Sequence, residues 1–207
     1  MLNTLTYRKY QSSDASFLED IIRKTWDYDR FCSADTAKRM AHLYLMNCLC
    51  EQSYTQVALN GDTPVGIIMA RAKKEKTKFQ FKIPRICAEL AMLCRRQDRS
   101  VITIFGGIHS IDQELLNNRK TDYDGEIVFF ALNASCRGMG VGKELFTRAI
   151  HYFKDCEVKN FYLYTDSSCN YGFYEHQGMK RCGEKSCHVP VGLENTMSFY
   201  LYEYQIA

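Results

Sequence analysis

No stretch of this 207-residue sequence is apolar for long enough to cross a bilayer. The longest apolar run, near Leu43 to Cys50, falls well short of the roughly 20 residues a spanning helix needs. The start, Met1-Leu2-Asn3-Thr4, has neither the basic residues nor the apolar core of a secretory leader. There is no CxxC pair, repeat, low-complexity tract or linker-like run. Little charge is left over: 27 Lys and Arg against 24 Asp and Glu give +3, too weak to argue for nucleic acid or a membrane as the main partner. These absences point to a cytoplasmic protein. Its 10 cysteines are then small buried apolar residues rather than a disulfide framework. Cys182, Cys187 and His188 form a loose cluster, but a structural zinc site takes four ligands, and no metal is expected.

What is present suits one domain with a long insertion: 46% of residues are hydrophobic and 25% charged. Residues 4–10 alternate like a first strand. Asp14 reads as the N-cap of a helix through Trp26, and a second helix runs from about Ala34 to Glu51. Residues 54–59 and 65–71 form a hairpin about the turn Asn60-Gly61-Asp62-Thr63-Pro64. Residues 73–123 open with a basic run, Lys73, Lys74, Lys76, Lys78, Lys82 and Arg85. This run is a solvated face, or a lure for an acidic substrate or a ligand's phosphates. A helix from Ile86 to Arg96 follows, then a short apolar run, Val101 to Phe105. Ser110 and Gln113 fit a capping box for a helix through Leu116. His109 reads as a surface-loop residue, with a place in an acceptor pocket as the alternative. Glu126 to Leu132 is a strand covered on both faces, Gly140 to Lys154 an amphipathic helix, and Asn160 to Thr165 another buried strand. Asn170 to Gln177 is a short helix ended by Gly178. Met179 to Cys182 and Thr196 to Tyr204 complete an α/β (α+β) fold around a mixed sheet.

The segment Arg137-Gly138-Met139-Gly140-Val141-Gly142-Lys143 joins a buried strand to a helix. Glycine permits unusual torsions and close approach of a ligand. The first helical turn adds unpaired N–H groups at the positive end of the dipole. Such a turn can seat a pyrophosphate. A P-loop would need glycine where Arg137 stands and Ser or Thr where Glu144 stands. A dinucleotide fingerprint would need glycine at Lys143 or Leu145. Both patterns fail, which leaves a ligand-free turn or the pattern R/Q-x-x-G-x-G/A, matched by Arg137, Gly140 and Gly142.

That pattern resembles the pyrophosphate loop of the GNAT acyltransferases. The strand Glu126-Ile127-Val128-Phe129 is close to their histone-acetyltransferase branch, with Arg137 at the family spacing. Asn170-Tyr171-Gly172-Phe173-Tyr174 is similar to the family's N-x-x-x-[FY] segment, and Met179 stands where Phe is usual. The resemblance covers residues 124–183. It implies a mostly antiparallel twisted sheet flanked by helices, in one N-acetyltransferase domain over residues 1–207. The family joins its third and fourth strands tightly, so residues 73–123 are an insertion on the substrate side.

The resemblance also implies direct transfer from acetyl-CoA to an amine. Backbone amides from Gly138 through Met139, Gly140, Val141 and Gly142 to Lys143 would hold the pyrophosphate beside Arg137. Leu132, Asn133 and Ala134 would offer backbone groups to the pantetheine arm, and Asn170 would bond the arm or cap its own helix. An amine with a pKa of about 10.4 must lose a proton. Glu126 is the candidate base, or else a strand-end glutamate in solvent. An amide near Leu132 would polarise the thioester carbonyl. Tyr174 would protonate the departing thiolate, or else simply pack. A covalent route through Cys136 or Cys169 would need a paired base. The acceptor stays open between a small amine and a protein or peptide, with a non-catalytic acyl-CoA-binding regulator as the rival class. Partners are acetyl-CoA and the acceptor, without nucleic acid or membrane, and a homodimer is left open.

Overall fold

A computed structural model describes residues 4–30, 32–188 and 196–206, and the side chains at 100, 101 and 103–105 lie outside that description. Residues 1–3, on which the expectation about a secretory leader rests, also lie outside the described residues. In chain order the elements are β1 (Leu5–Arg8), α1 (Ala15–Thr25), α2 (Ala34–Glu51), β2 (Tyr54–Asn60), β3 (Thr63–Ala72), α3 (Lys82–Leu93), α4 (Arg96–Asn117), β4 (Gly125–Leu132), α5 (Val141–Asp155), β5 (Asn160–Asp166), α6 (Gly172–His176), β6 (Lys180–His188) and β7 (Thr196–Gln205). The strands form one sheet in the order β1-β2-β3-β4-β5-β7-β6. Neighbours are antiparallel except β4 and β5. This is the mixed, helix-flanked sheet expected from the sequence.

Strand periodicity divides the core. Ile67 and Met69 of β3 join Val57, Phe129 and Ala131 under α1 and α2. Their neighbours Ile68 and Ala70 face the other way with Ile127 and Leu163, under α5. Both faces of β3 are therefore buried, which accounts for its nearly unbroken apolar sequence. The hairpin closes through Gly61-Asp62, with Asn60 opposite Thr63 and Gly61 at φ 61°.

Two local expectations are corrected. Asp14 stands at the N-cap position of α1, but its side chain does not cap the helix. Its carboxylate accepts two bonds from Arg8, both 2.8 Å, and one from the Gln11 amide at 2.8 Å. The Ser110–Gln113 capping box does not exist either, because α4 runs unbroken from Arg96 and takes in the apolar run from Val101. Ser110 Oγ instead donates to the Gly106 carbonyl one turn back, at 3.0 Å. Gly106 and Gly107 each weaken a helix by about 1 kcal/mol relative to alanine. Tertiary anchors at both ends override that cost. Near the start, Asp98 is fully buried and bonds Arg39 (2.7 and 3.1 Å) and Thr36 (2.7 Å) of α2. Near the end, Leu115 packs against Phe199 and Leu201 of β7. The insertion thus spans one face of the sheet from α2 to β7.

One irregularity positions the site. β4 and β5 pair only at Gly125–Phe161 and Glu126–Tyr162, and then part. Against β3, the register shifts so that Val128 is an unpaired extra residue in β4.

Candidate active site

Where β4 leaves β5, a cleft of about 130 Å³ opens. Phe130, Ala131 and Leu132 of β4 form one wall, and Phe173 and Tyr174 of α6 another. Arg137 and Gly142 stand at one end, with Ser168, Cys169 and Asn170 from the turn after β5, while Thr25 and Trp26 close it from α1. The Asn133 amide donates to Val65 of β3 at 2.7 Å. By strand alternation, Phe130 and Leu132 then turn their N–H and C=O groups toward the gap, where no strand takes them up.

The Asn133 amide and the carbonyls of Asn133 and Ala134 are engaged within the protein. The Asn133 carbonyl accepts from the Cys136 amide (3.0 Å), its side chain from the Ser135 amide (3.0 Å), and the Ala134 carbonyl from the Arg137 amide (3.2 Å). They build the turn that lifts the chain out of β4. Gly138 and Gly140 follow, both at φ 78°, with nothing within 4 Å of a would-be Cβ. These two glycines answer to torsion rather than to crowding. The first helical bond of α5 runs from the Glu144 amide to the Gly140 carbonyl, at 3.0 Å. The amides from Gly138 to Lys143 have no backbone partner among the described residues. Val141 is buried and Met139 packs partly against the core under α5, which holds the loop in place. Arg137 and Lys143 are exposed, and neither forms an ion pair among the described residues. A side chain at Gly142 would meet Phe173, Phe130 and Leu132 only at 3.5 to 3.8 Å. Packing alone therefore does not demand glycine there; its bareness opens the amides toward the cleft. The result is a row of donors at a helix N-terminus flanked by two free cations, which fits a diphosphate.

Tyr174 lies among the rings of Phe130, Phe173 and Tyr202, with centroids 5.6 to 6.4 Å away. Burial, reinforced by Cys169 and Asp166, holds its phenol far above the ordinary value, so it remains a donor. Asn170 is exposed on the cleft and its side chain does not cap α6, which starts from Tyr171. Cys169 also lines the cleft, but burial and the Asp166 carboxylate push its thiol up to about 12. A thiol held there is a poor nucleophile at neutral pH.

A second cavity, of about 640 Å³, lies beside the cleft between the sheet, α2 and the two insertion helices. Glu126 is on its wall and only 8% exposed, not in open solvent. Arg71 Nη2 donates to its Oε2 across the β3–β4 ladder. Burial raises the Glu126 carboxyl above its usual range, Arg71 opposes that rise, and Glu51 adds to it. His109 lies on α4 at the cavity, not on a loop. One turn further on, Asp112 is half-buried and has no hydrogen bond or ion pair among the described residues. Burial pushes its carboxyl up to about 7, helped by the charges of Asp166 and Glu126. The sequence reading passed over Asp112 and Arg71, since nothing local separates either from a surface charge.

The acetyltransferase (GNAT) family model matches residues 18–179, and the chain belongs to that family. It is an acyltransferase, and acetyl-CoA is its cosubstrate. No curated protein sequence matches it significantly. Among solved structures, it is similar to a Salmonella typhimurium protein solved with its cofactor acetyl-CoA, at 12% identity over 99% of this chain and 95% of that one (TM-score 0.57). It is also similar to a ribosomal-protein-alanine N-acetyltransferase from Brucella melitensis, at 13% identity over 97% and 99% (TM-score 0.57). An N-acetyltransferase from Staphylococcus aureus is similar at 14% identity over 99% and 100% (TM-score 0.55). At such identities the likeness is one of fold.

Proposed function

We propose that the chain acetylates a small cationic primary amine by direct transfer, with acetyl-CoA and acceptor bound together. One observation carries this reading: β4 borders both cavities, with residues 130–132 on the cleft and 126–128 on the larger chamber. A pantetheine arm laid along the free edge of β4, with its diphosphate on the amides of Gly138 to Lys143, would end beside the chamber. Leu132 and Phe130 supply the edge, and Asn170 stands at the cleft's rim.

The chamber suits an ammonium. Its charged walls carry Glu51, Glu89, Asp112 and Glu126 against Arg71 and Arg85, leaving an excess of negative charge. Arg71 holds Glu126 and Arg85 holds Glu89, which leaves Glu51 and Asp112; Glu51 is exposed to solvent and Asp112 is half-buried in the chamber, so Asp112 is the better placed to meet the acceptor. Residues 73–123 would then be the substrate side of one domain, and the wall they form favours a small amine over a peptide.

The proton balance assigns roles. Converting an ammonium into an amide removes two protons from nitrogen. One enters solvent and one ends on the CoA thiol. Asp112, poised near neutrality, accepts the first and yields the free amine. The amine attacks the thioester carbonyl, whose oxygen takes a hydrogen bond from a β4 amide at the gap. Glu126 accepts the second proton as the C–N bond completes. The C–S bond breaks, and Tyr174 donates a hydrogen bond to the thiolate. Tyr174 holds its proton more tightly than a thiol of pKa about 8.5, so it stabilises the thiolate by its hydrogen bond; the proton held by Glu126 passes on to complete the thiol, and Asp112 returns its proton to solvent.

A thiol-release assay with acetyl-CoA across small amines, polyamines, amino acids and peptides tests this reading. Turnover is expected on small cationic amines. Binding of acetyl-CoA without turnover of any amine would favour the non-catalytic regulator instead.

A further inference from the structure

Six large apolar side chains are exposed among the described residues, and five of them lie on one strip. Ile83, Ile86, Leu90 and Leu93 are 69%, 46%, 54% and 41% exposed, at the spacing of one face of α3, and Phe79, 72% exposed, stands in the 3-10 turn just before that helix. Cys87, Ala91 and Cys94 fill the gaps between them and are exposed as well. The opposite side of α3 is the structural one, with Ala88 and Met92 buried. A helix that buries one narrow side and shows a second, broader apolar side has a face in need of cover.

The charge around this face is just as uneven. Residues 73–99 hold nine cations (Lys73, Lys74, Lys76, Lys78, Lys82, Arg85, Arg95, Arg96 and Arg99) and three acids (Glu75, Glu89 and Asp98), a net of +6. The whole chain is +3, so the remaining residues sum to −3. The modest overall charge conceals a strongly basic region. Two of its acids are already paired, Glu89 with Arg85 and Asp98 with Arg39. Lys82 arches over the Phe79 ring at 4.7 Å, which sets a cation beside the most exposed phenylalanine among the described residues.

We infer that the outer face of α3, with its basic flanks, docks on an anionic lipid bilayer. No helix among the described residues is long and apolar enough to cross a membrane, so α3 would lie in the interface. Its apolar strip would enter the headgroup boundary, with lysines and arginines at both ends meeting anionic headgroups. The strip bears no relation to the transfer chemistry, so this inference goes beyond the proposed activity. It has a spatial consequence, since Arg85, Glu89 and Met92 of the same helix line the acceptor chamber. Docking would bring that chamber to within about one helix diameter, ~10 Å, of the lipid surface.

The test is co-sedimentation of the full chain with vesicles of phosphatidylcholine, alone or mixed with phosphatidylglycerol, at low and high salt. The folded protein should bind the mixed vesicles at low salt and leave them as salt screens the charges. Ile86→Glu/Leu90→Glu places charges on exposed positions. It should weaken binding at least about tenfold while leaving thermal stability and soluble-amine turnover unchanged. Lys76→Gln/Lys78→Gln/Lys82→Gln should weaken it roughly fivefold per lysine. The inference is overturned if the wild type ignores mixed vesicles at low salt, or if either variant binds them as well as the wild type. It is also overturned if the wild type is a dimer by light scattering and Ile86→Glu/Leu90→Glu makes it a monomer, since a second copy would then cover the face.

Discussion

Arg71 and Glu126 face each other across the β3–β4 ladder, and the guanidinium donates to the carboxylate on the wall of the larger chamber. Burial alone would push Glu126 toward its neutral form, and Arg71 keeps it within reach of ionisation. Glu126→Gln preserves the shape of the side chain but cannot accept a proton. We expect turnover to fall by about 10² to 10⁴, with acetyl-CoA affinity unchanged by calorimetry. Arg71→Ala removes the restraint, so the Glu126 carboxyl should rise further, and in an Asp112→Asn background, where the Asp112 limb is gone, the remaining acid limb should move to higher pH.

Asp112 gives the pH dependence its sign. In the proposed mechanism its carboxyl, at about 7, must be ionised to take a proton from an ammonium. For the wild type, kcat/KM should therefore fall as pH drops through 7. Asp112→Asn should lose that limb and recover rate only as pH approaches the acceptor's own pKa. A weakly basic amine, already neutral at pH 7, should be acetylated by variant and wild type at similar rates. Stability runs the other way. The folded state holds this proton more tightly than the unfolded chain, whose aspartate titrates near 3.9. Stability is thus lost as pH rises from about 4 to about 7. Asp112→Asn should melt above the wild type at pH 8, and the difference should shrink steadily below pH 7 and vanish near pH 4.

Asp98 and Arg39 fix the insertion to the body of the fold. The Arg39 hydrogen bonds, with help from Thr36, hold the Asp98 carboxyl below the usual range against the cost of burial. A depressed carboxyl contributes stability that is present above the unfolded value and disappears as pH falls through the folded one. The loss therefore belongs below about pH 4. Asp98→Ala leaves Arg39 without its partner and should cost about 3 to 5 kcal/mol in denaturant melts. Because α4 walls only the larger chamber, proposed above to hold the acceptor, KM for the amine should rise while the affinity for acetyl-CoA holds.

How far the sequence could be read followed from how local each signal was. The hairpin at Asn60 to Pro64, α2 and the glycine turn are each specified by neighbours in sequence, and each lies where expected. Leu132, Arg137, Gly142, Asn170 and Tyr174 come together on one cleft because the parting of β4 from β5 is built into the same short segment. The insertion was illegible for the opposite reason. Gly106, Gly107 and Ser110 carry the local marks of a break, and only distant partners, Arg39 at one end and β7 at the other, keep α4 continuous. Asp112 could not be singled out for the same cause, since its isolation is a property of the chamber. Nor does the Ser110 pattern differ in sequence from a true capping box; what separates them is whether the preceding turn is already helical.

The central claim is that the amides between Gly138 and Lys143, with Arg137 and Lys143 beside them, hold the diphosphate of acetyl-CoA. Calorimetric titration of acetyl-CoA into the wild type and into Arg137→Ala/Lys143→Ala tests it most directly. Both side chains are exposed, so the variant should fold with stability within about 0.5 kcal/mol of the wild type. We expect one site on the wild type, and an affinity at least about tenfold weaker and less sensitive to salt in the variant. No heat of binding from the folded wild type, or equal affinity in the two proteins, would contradict the claim.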